Sequence, residues 1–494
     1  MNFKSLLLLS ISLVFLSSCQ ETKPVNQNIL FILADDLRAD AIGANGNTNI
    51  QTPNIDQFYK NGFYFTNAYC MGSHHGAVCA PSRSMMLTGK TLYHVYADLD
   101  TVDILPQFLQ QAGYTTFATG KYHTDFYERT SRDFKGWDYG KNIMFGGMSD
   151  HNKVPVQNQI AYDTFTKKRI EGFSSVLFAD AAIKFIQDYQ SSEHASKPFY
   201  TYVSFTAPHD PRTPPGKWLD MYRGKDMELP KNYKPIHPFH TGWMTGRDEL
   251  LADWPRDESI VKDQIAEYYG LISHMDHQIG RIINVLKETN QLNNTIVIFA
   301  ADHGLSMGSH GLLGKQNLYE HSTKAPLIFM GPDIPKNESS DAFVYLLDLF
   351  GTIMNFAKAK VPSNRESLDL SNAWTAKEFA GRQHLFTTYE DIQRAIRIGD
   401  WKLIRYPKSH HNQLFNLKSD PHELTNLAVS DDYSAKVAEM MAALAQAQND
   451  FDDPHPLTAV HKESMDFDPS EIIRKVDRHQ PEWVVEKYFK KEVE

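Results

Sequence analysis

Cysteine is scarce in this chain: there are three in 494 residues, at 19, 70 and 79. That excludes a disulfide framework for a protein of this size. Positive charge is also in deficit. Fifty Lys and Arg stand against 60 Asp and Glu, a formal net charge of −10. There is no global basic surface, so no nucleic-acid partner is expected. A polyanionic ligand would have to be met by a local cationic pocket. Internal repeats and low-complexity blocks are absent. What remains is ordinary soluble composition, 41% hydrophobic and 22% charged. The length suggests one large α/β domain plus a smaller one.

The N-terminus reads as a targeting segment. Lys4 supplies the positive end, and residues 6–16 form an apolar run too short for a convincing transmembrane helix. Leu16-Ser17-Ser18-Cys19 then resembles a bacterial lipobox. The expectation is removal of residues 1–18 as a signal peptide and acylation of Cys19, with 19–27 as a tether holding a soluble body at a membrane. Simple cleavage without lipid is the alternative. Gln20 follows the cysteine where Asp would signal inner-membrane retention. The expected location is therefore the outer membrane, on its periplasmic or cell-surface face.

Residues 28–34 form a short, continuously apolar run that reads as a buried central strand, as in a parallel sheet; 115–119 reads as a strand, 199–205 as a further apolar strand, and 295–301 as another buried strand. Helices are expected at 104–112, 178–187, 342–356 and 435–447, and a long amphipathic one at 261–289. Residues 211–260 are rich in Pro, Trp and charge, and read as a surface excursion near a site mouth. From about 384 the pattern changes to antiparallel strands at 385–389, 395–398 and 401–406, with Gly399-Asp400 as a hairpin turn and 413–416 as a further candidate. The expected division is 28–380 for the large domain and 381–494 for the small one with its charged tail.

Polar groups follow each strong strand in the same way. Asp35 and Asp36 follow the first, Lys121 and His123 the second, His209 the third, and Asp302 with His303 the fourth. Strands of one parallel sheet point such ends to one edge, where open α/β sheets place ligands. Clustered carboxylates call for a hard divalent cation. Lysines and histidines beside them suit a negatively charged ester. Taken singly, each group has an ordinary structural reading: an acidic helix cap, a bonded histidine, a solvated lysine. Cys79 lies in Cys79-Ala80-Pro81-Ser82-Arg83, with Thr88-Gly89 beyond, and Lys315 sits in the Gly-rich run 311–315. A bridge between Cys70 and Cys79 across their short loop is the reading that would remove a nucleophile at 79. Cys70 reads better as a buried thiol.

The run from Cys79 to Arg83 with its Thr-Gly tail resembles the signature of formylglycine-dependent sulfatases, in the alkaline-phosphatase-like superfamily. Further motifs extend the resemblance over about 28–430: Ala34-Asp35-Asp36, Gly120-Lys121-Tyr122-His123 (Tyr where Trp is usual), Pro208-His209, Asp302-His303-Gly304, Gly314-Lys315 with Tyr319-Glu320, and Gly399-Asp400-Trp401-Lys402 with Leu414-Phe415-Asn416-Leu417. The resemblance implies an α/β fold, with a large, mostly parallel sheet flanked by helices and a smaller C-terminal α+β subdomain carrying an antiparallel sheet. It implies that a maturation enzyme converts Cys79 to formylglycine (3-oxoalanine), whose hydrate is the nucleophile. Asp35, Asp36, Asp302 and His303 would hold one calcium ion together with residue 79. His303 stands where many relatives have Asn or Gln. Arg83 would orient the hydrate, and Lys121 and Lys315 would bind sulfate oxygens. His209 would stand at the leaving oxygen, and His123 would take a proton from the second hydroxyl, expelling sulfate.

The motifs do not name the sugar. His74, His75 and Arg394 are candidates for contacting it. Export and family together point to a sulfated polysaccharide or its oligosaccharides, algal polymers such as ulvan first. Two other readings stay open: a phosphonate or phosphodiester hydrolase of the same superfamily, and a non-catalytic lipoprotein that binds sulfated glycan.

Overall fold

The chain was analysed as a computed structural model that describes residues 26–97, 101–124, 140–161, 164–376, 378–478 and 480–489. Cys19, the expected signal segment and most of the tether lie outside the described residues. Among the described residues, no helix is long and apolar enough to cross a membrane.

The fold is α/β and is built around one sheet of eight strands. Its order is Glu338–Ser340, Phe63–Phe65, Leu327–Met330, Thr295–Ala301, Asn28–Ala34, Phe199–Ser204, Thr115–Lys121 and Lys141–Met144. The central strands are parallel, and Leu327–Met330 runs antiparallel to both its neighbours. Asn28–Ala34, Phe199–Ser204 and Thr295–Ala301 are buried at every position. A strand covered on both faces has no polar side to alternate with, which explains the unbroken apolar runs. The long helix Glu258–Glu288 packs its Ile265, Ile272, Ile279 and Ile282 stripe into this core. Asp257 caps it, its carboxylate accepting from the Ser259 and Ile260 amides.

A second sheet orders as His411–Asn416, Trp401–Tyr406, Gln393–Ile398, Leu385–Tyr389 and Gly72–Ser73. Its last strand comes from the segment just before Cys79 and pairs parallel with Leu385–Tyr389. The small sheet is thus stitched to the nucleophile loop. Gly72, at φ +100°, makes this possible: a Cβ there would lie 1.9 Å from the Thr388 carbonyl oxygen.

The helix expected at 342–356 starts later. Val344–Tyr345 pairs with Ala68–Tyr69, and the α-helix spans Leu349–Phe356. The Asp348 carboxylate accepts from the Tyr345 amide and so holds the chain extended before the helix. Within the 211–260 excursion, the regular pieces are a short helix, Gly216–Leu219, and a 3-10 turn, Arg247–Leu251.

Candidate active site

Strand register assembles the site. Ala34 lies beside Ala301 and Leu33 beside Ser204, while Ser204 lies beside Gly120. The residues that follow therefore emerge at one edge. The Asp302 amide donates to the Ala34 carbonyl at 3.2 Å, and the Asp36 amide donates to the Asp302 carboxylate at 3.1 Å. Carboxylate oxygens of Asp35, Asp36 and Asp302 lie within 4.8 Å of one another, all buried.

Cys79 opens the helix Cys79–Thr88, whose every residue is buried. Arg83 is one turn further on, on the same face. Its guanidinium reaches Asp302 at 3.1 Å, Asp35 at 3.2 Å, the Lys121 carbonyl at 3.0 Å and Ser204 Oγ at 2.5 Å. Ser82 Oγ ties the helix to the Asp302 carbonyl at 2.8 Å. Gly89 ends it at φ +68°, where a Cβ would strike the Phe350 ring at 2.7 Å. The motif's Ser, Arg and Gly are each accounted for by these contacts.

Lys121 Nζ bridges Asp35 at 2.5 Å and Cys79 Sγ at 3.6 Å, and His123 Nδ1 lies 3.1 Å from the same sulfur. Gly147 makes room for that ring: a Cβ there would come within 2.7 Å of it. Lys315 Nζ donates to both oxygens of Asp36, at 2.8 and 2.9 Å. His209 Nε2 faces Asp36 at 3.8 Å. His303 Nδ1 pairs with the Gly304 carbonyl at 2.9 Å, which leaves Nε2 at 3.4 Å from Asp36 and 3.8 Å from Asp302. That Nε2 is buried and has no hydrogen-bond partner. Three carboxylates converge at ligand spacing, an oxygen set that fits a hard divalent cation, and the His303 imidazole lies beside them at ligand spacing with Cys79 and Asp302.

Electrostatics follow the geometry. Burial alone would raise the Cys79 thiol pKa, but Lys121, His123 and Lys315 outweigh it and hold the thiol well below its usual value. Burial also opposes ionisation of Asp35, yet Lys121, His209 and Arg83 keep its carboxyl far below the ordinary range. Asp36 is raised to about 7, chiefly by burial, with the Asp35 and Asp302 charges adding to it. Burial and two lysines, 315 and 121, push His209 well below the usual imidazole value. Cys70 is a free buried thiol, raised to about 12 by desolvation, and is not bridged to Cys79.

The candidates for sugar contact fare differently. His74 packs its ring on Tyr96 and edge-on against His75, in the loop leading to Cys79. His75 Nδ1 accepts from the Ala77 amide at 3.2 Å. Arg394 is corrected. Its side chain is fully buried and grips Asp453 with two bonds, at 2.8 and 3.0 Å, so it presents no face to a substrate. The sequence reading missed Asp210, Arg247 and Asp248, which surround His209 and Lys315. Asp210 was signalled only by adjacency to His209, and Arg247 lies in a stretch with no periodic pattern.

The sulfatase family model matches residues 27–359, and the C-terminal model of N-sulphoglucosamine sulphohydrolase matches residues 308–450. The chain belongs to the sulfatase family and is a sulfuric ester hydrolase. It is 29% identical to an arylsulfatase of Clostridium perfringens, over 83% of this chain and 92% of that one. An N-acetylglucosamine-6-O-sulfatase of Bacteroides thetaiotaomicron is 26% identical over 92% of each. An ulvan-active sulfatase of Formosa agariphila is 25% identical over 86% of this chain and 81% of that one. A solved structure described as a complex with D-glucosamine-2-N,6-O-disulfate shares the fold, with a TM-score of 0.71 and 22% identity over 87% of this chain and 99% of that one.

Proposed function

We propose that this protein removes sulfate from a sulfated carbohydrate, with Cys79 matured to formylglycine and one calcium ion held by Asp35, Asp36, Asp302 and His303. The carrying observation is that Cys79, Lys121 and His123 sit together against the buried carboxylate trio. The cation, when bound, supplies Lewis-acid stabilisation of the charge on sulfate. The matured residue supplies a hydroxyl nucleophile and a second hydroxyl, whose loss of a proton releases sulfate.

The chain's own groups divide the remaining work. Arg83 lies beneath the nucleophile and fixes Asp35 and Asp302. Lys121 and Lys315 neutralise sulfate oxygens. His123, at contact distance from residue 79, takes the proton. His209, whose Nε2 faces Asp36 at 3.8 Å, serves the leaving oxygen.

The names of two relatives, one acting on sulfated N-acetylglucosamine and one on ulvan, support a sugar sulfate. Ulvan oligosaccharides remain the first polymer to test, with 6-sulfated N-acetylglucosamine as the competitor. We also retain lipidation of Cys19 and outer-membrane attachment as a proposal; metabolic labelling with a fatty-acid analogue, lost on Cys19→Ala, tests it. For the function itself, matured protein is assayed on 4-nitrophenyl sulfate, bis(4-nitrophenyl) phosphate and a panel of sulfated oligosaccharides. Sulfate release from sugars with weak phosphodiester turnover supports the reading. A dominant phosphodiesterase rate, or an unmodified thiol at 79 in active protein, overturns it.

A further inference from the structure

We propose that Asp210, clamped by Arg247, is the positioning residue that aims His209 at the leaving-group oxygen. This rests on the sulfatase reading above and assigns a support to one of its residues.

His209 Nδ1 meets two acceptors, both from Asp210: the backbone carbonyl at 2.7 Å and a carboxylate oxygen at 3.2 Å. Neither can donate, so Nδ1 carries the ring's hydrogen and Nε2 is the nitrogen that faces Asp36 and the site. The backbone is fixed too, because the His209 carbonyl pairs with His151 Nε2 at 2.8 Å. Asp210 is buried, with 3% of its surface exposed, and a buried carboxylate needs a partner. Arg247 supplies it through both terminal nitrogens, at 2.7 and 3.1 Å, and Gln480 Nε2 adds a bond at 3.3 Å. A fork-to-fork pair fixes the angle of the carboxylate as well as its charge.

Arg247 also pairs with Asp248, whose other oxygen lies 4.0 Å from Lys315 Nζ and accepts from Gln316 Nε2 at 3.3 Å. One line of charge therefore runs from His209 through Asp210, Arg247 and Asp248 to Lys315. It joins the group at the leaving oxygen to a group on the sulfate. The excursion 211–260 has a use here: its 3-10 turn delivers Arg247 to a strand-end histidine. In the step concerned, the sulfur–oxygen bond to the sugar breaks as sulfur passes to the nucleophile. The sugar oxygen takes the Nε2 proton of a His209 imidazolium, a form that the negative charge of the bound sulfate ester favours against the two lysines. The ring is left neutral with its hydrogen on Nδ1, a solvent proton recharges Nε2, and Asp210 stays ionised throughout.

Leaving-group chemistry provides the test. Nitrophenolate departs without a proton, whereas a sugar alkoxide needs one. The measurement is kcat/KM of matured enzyme on 4-nitrophenyl sulfate and on the sulfated oligosaccharide that the wild type turns over fastest. The proteins are wild type, Asp210→Asn, Arg247→Met, Arg247→Lys and His209→Ala, with thermal midpoints recorded. Asp210→Asn and Arg247→Met are expected to lose about 30-fold or more on the sugar sulfate and less than about 3-fold on the aryl sulfate. Arg247→Lys should regain part of the loss. Equal losses on both substrates, or none, would overturn the proposal, since damage to the fold does not discriminate between leaving groups. If His209→Ala itself shows no discrimination, the assignment of His209 fails, and the positioning role fails with it. A wild type inactive on both sulfates would instead sink the functional reading.

Discussion

Two buried charge clusters in this molecule differ in what they leave unbonded. The first ties the small sheet to the short helix Glu320–Thr323 and the strand Ala68–Tyr69. Glu320 takes Lys402 at 2.9 Å and Arg397 at 3.1 Å, and also bonds the Tyr69 hydroxyl. Glu423 takes Lys402 at 2.8 Å and the Glu320 amide at 2.8 Å. Each carboxylate oxygen there lies within 3.1 Å of a cation or an amide, Glu423 Oε1 through its ion pair with Lys402 alone. Burial opposes the charge on Glu320, yet Lys402 and Arg397 hold its carboxyl down to about 2, whereas burial, with the Glu320 charge beside it, raises Glu423 to about 7 despite Lys402. The second cluster, at the strand edge, has lysines and an arginine as well. It also has a buried imidazole nitrogen, on His303, that faces Asp36 at 3.4 Å and Asp302 at 3.8 Å without a hydrogen bond. Matched cations finish a structural network. Converging donors without a bond between them are what a ligand shell looks like before its ion.

The largest effect that separates the clusters comes from one substitution in each. Cys79→Ala is expected to lower kcat/KM by at least about 10⁴-fold, with little change in unfolding midpoint. Lys402→Met should do the converse. It strands Glu320 and Glu423 in the interior at a cost of about 3–5 kcal/mol, while turnover per folded molecule stays within about 3-fold. Denaturant unfolding paired with active-site titration reads both. If Lys402→Met abolishes turnover in fully folded protein, the structural label on its cluster is wrong.

Chelation comes next in size. Removing divalent cations should suppress sulfate release and lower the thermal midpoint, and calcium should restore both. A site saturated 100-fold above its Kd contributes about 2.7 kcal/mol. Lys402→Met leaves the strand edge untouched, so variant and wild type should lose the same increment on chelation. Unchanged activity in protein shown to be metal-free by elemental analysis would remove the cation from the strand edge.

Much of this arrangement was legible in the chain because one geometric rule produces it. Asn28–Ala34, Thr295–Ala301 and Trp401–Tyr406 fall where the apolar runs and the hairpin turn place them. The polar residues after four parallel strands then had to share an edge. Phe63–Phe65 and Leu327–Met330 were not legible, since runs of three and four residues carry too little period to separate strand from loop. Arg394 was not legible as a structural residue, because nothing in the sequence marks its burial against Asp453, 59 residues on. Arg247 had no signal: its role comes from where a non-repeating excursion folds back, which is a tertiary fact. The Gly72–Ser73 strand was hidden for a like reason, because its partner lies more than 300 residues away in sequence.

A buried carboxylate outside both clusters sharpens the comparison, because like Glu423 it is paired and yet raised. Glu267, on the long helix, meets Lys487 at 3.0 Å and the Tyr488 hydroxyl at 2.9 Å, both from the helix Glu482–Tyr488. Burial pushes its carboxyl up to about 7 despite Lys487. The folded pKa thus lies above the usual 4.5, so the folded state binds the extra proton between those values. Stability from this group is full below about pH 4.5 and is lost as pH rises through about 7, by at most about 3 kcal/mol. Glu267→Gln keeps the shape and cannot titrate. The difference in unfolding free energy between wild type and variant should therefore move against the wild type from pH 5 to pH 8, the smallest effect of the set. A difference that stays flat across that range would mean that Lys487 holds Glu267 ionised throughout. Glu267 would then behave like Glu320, and pairing rather than burial would be what decides the charge of a buried acid in this fold.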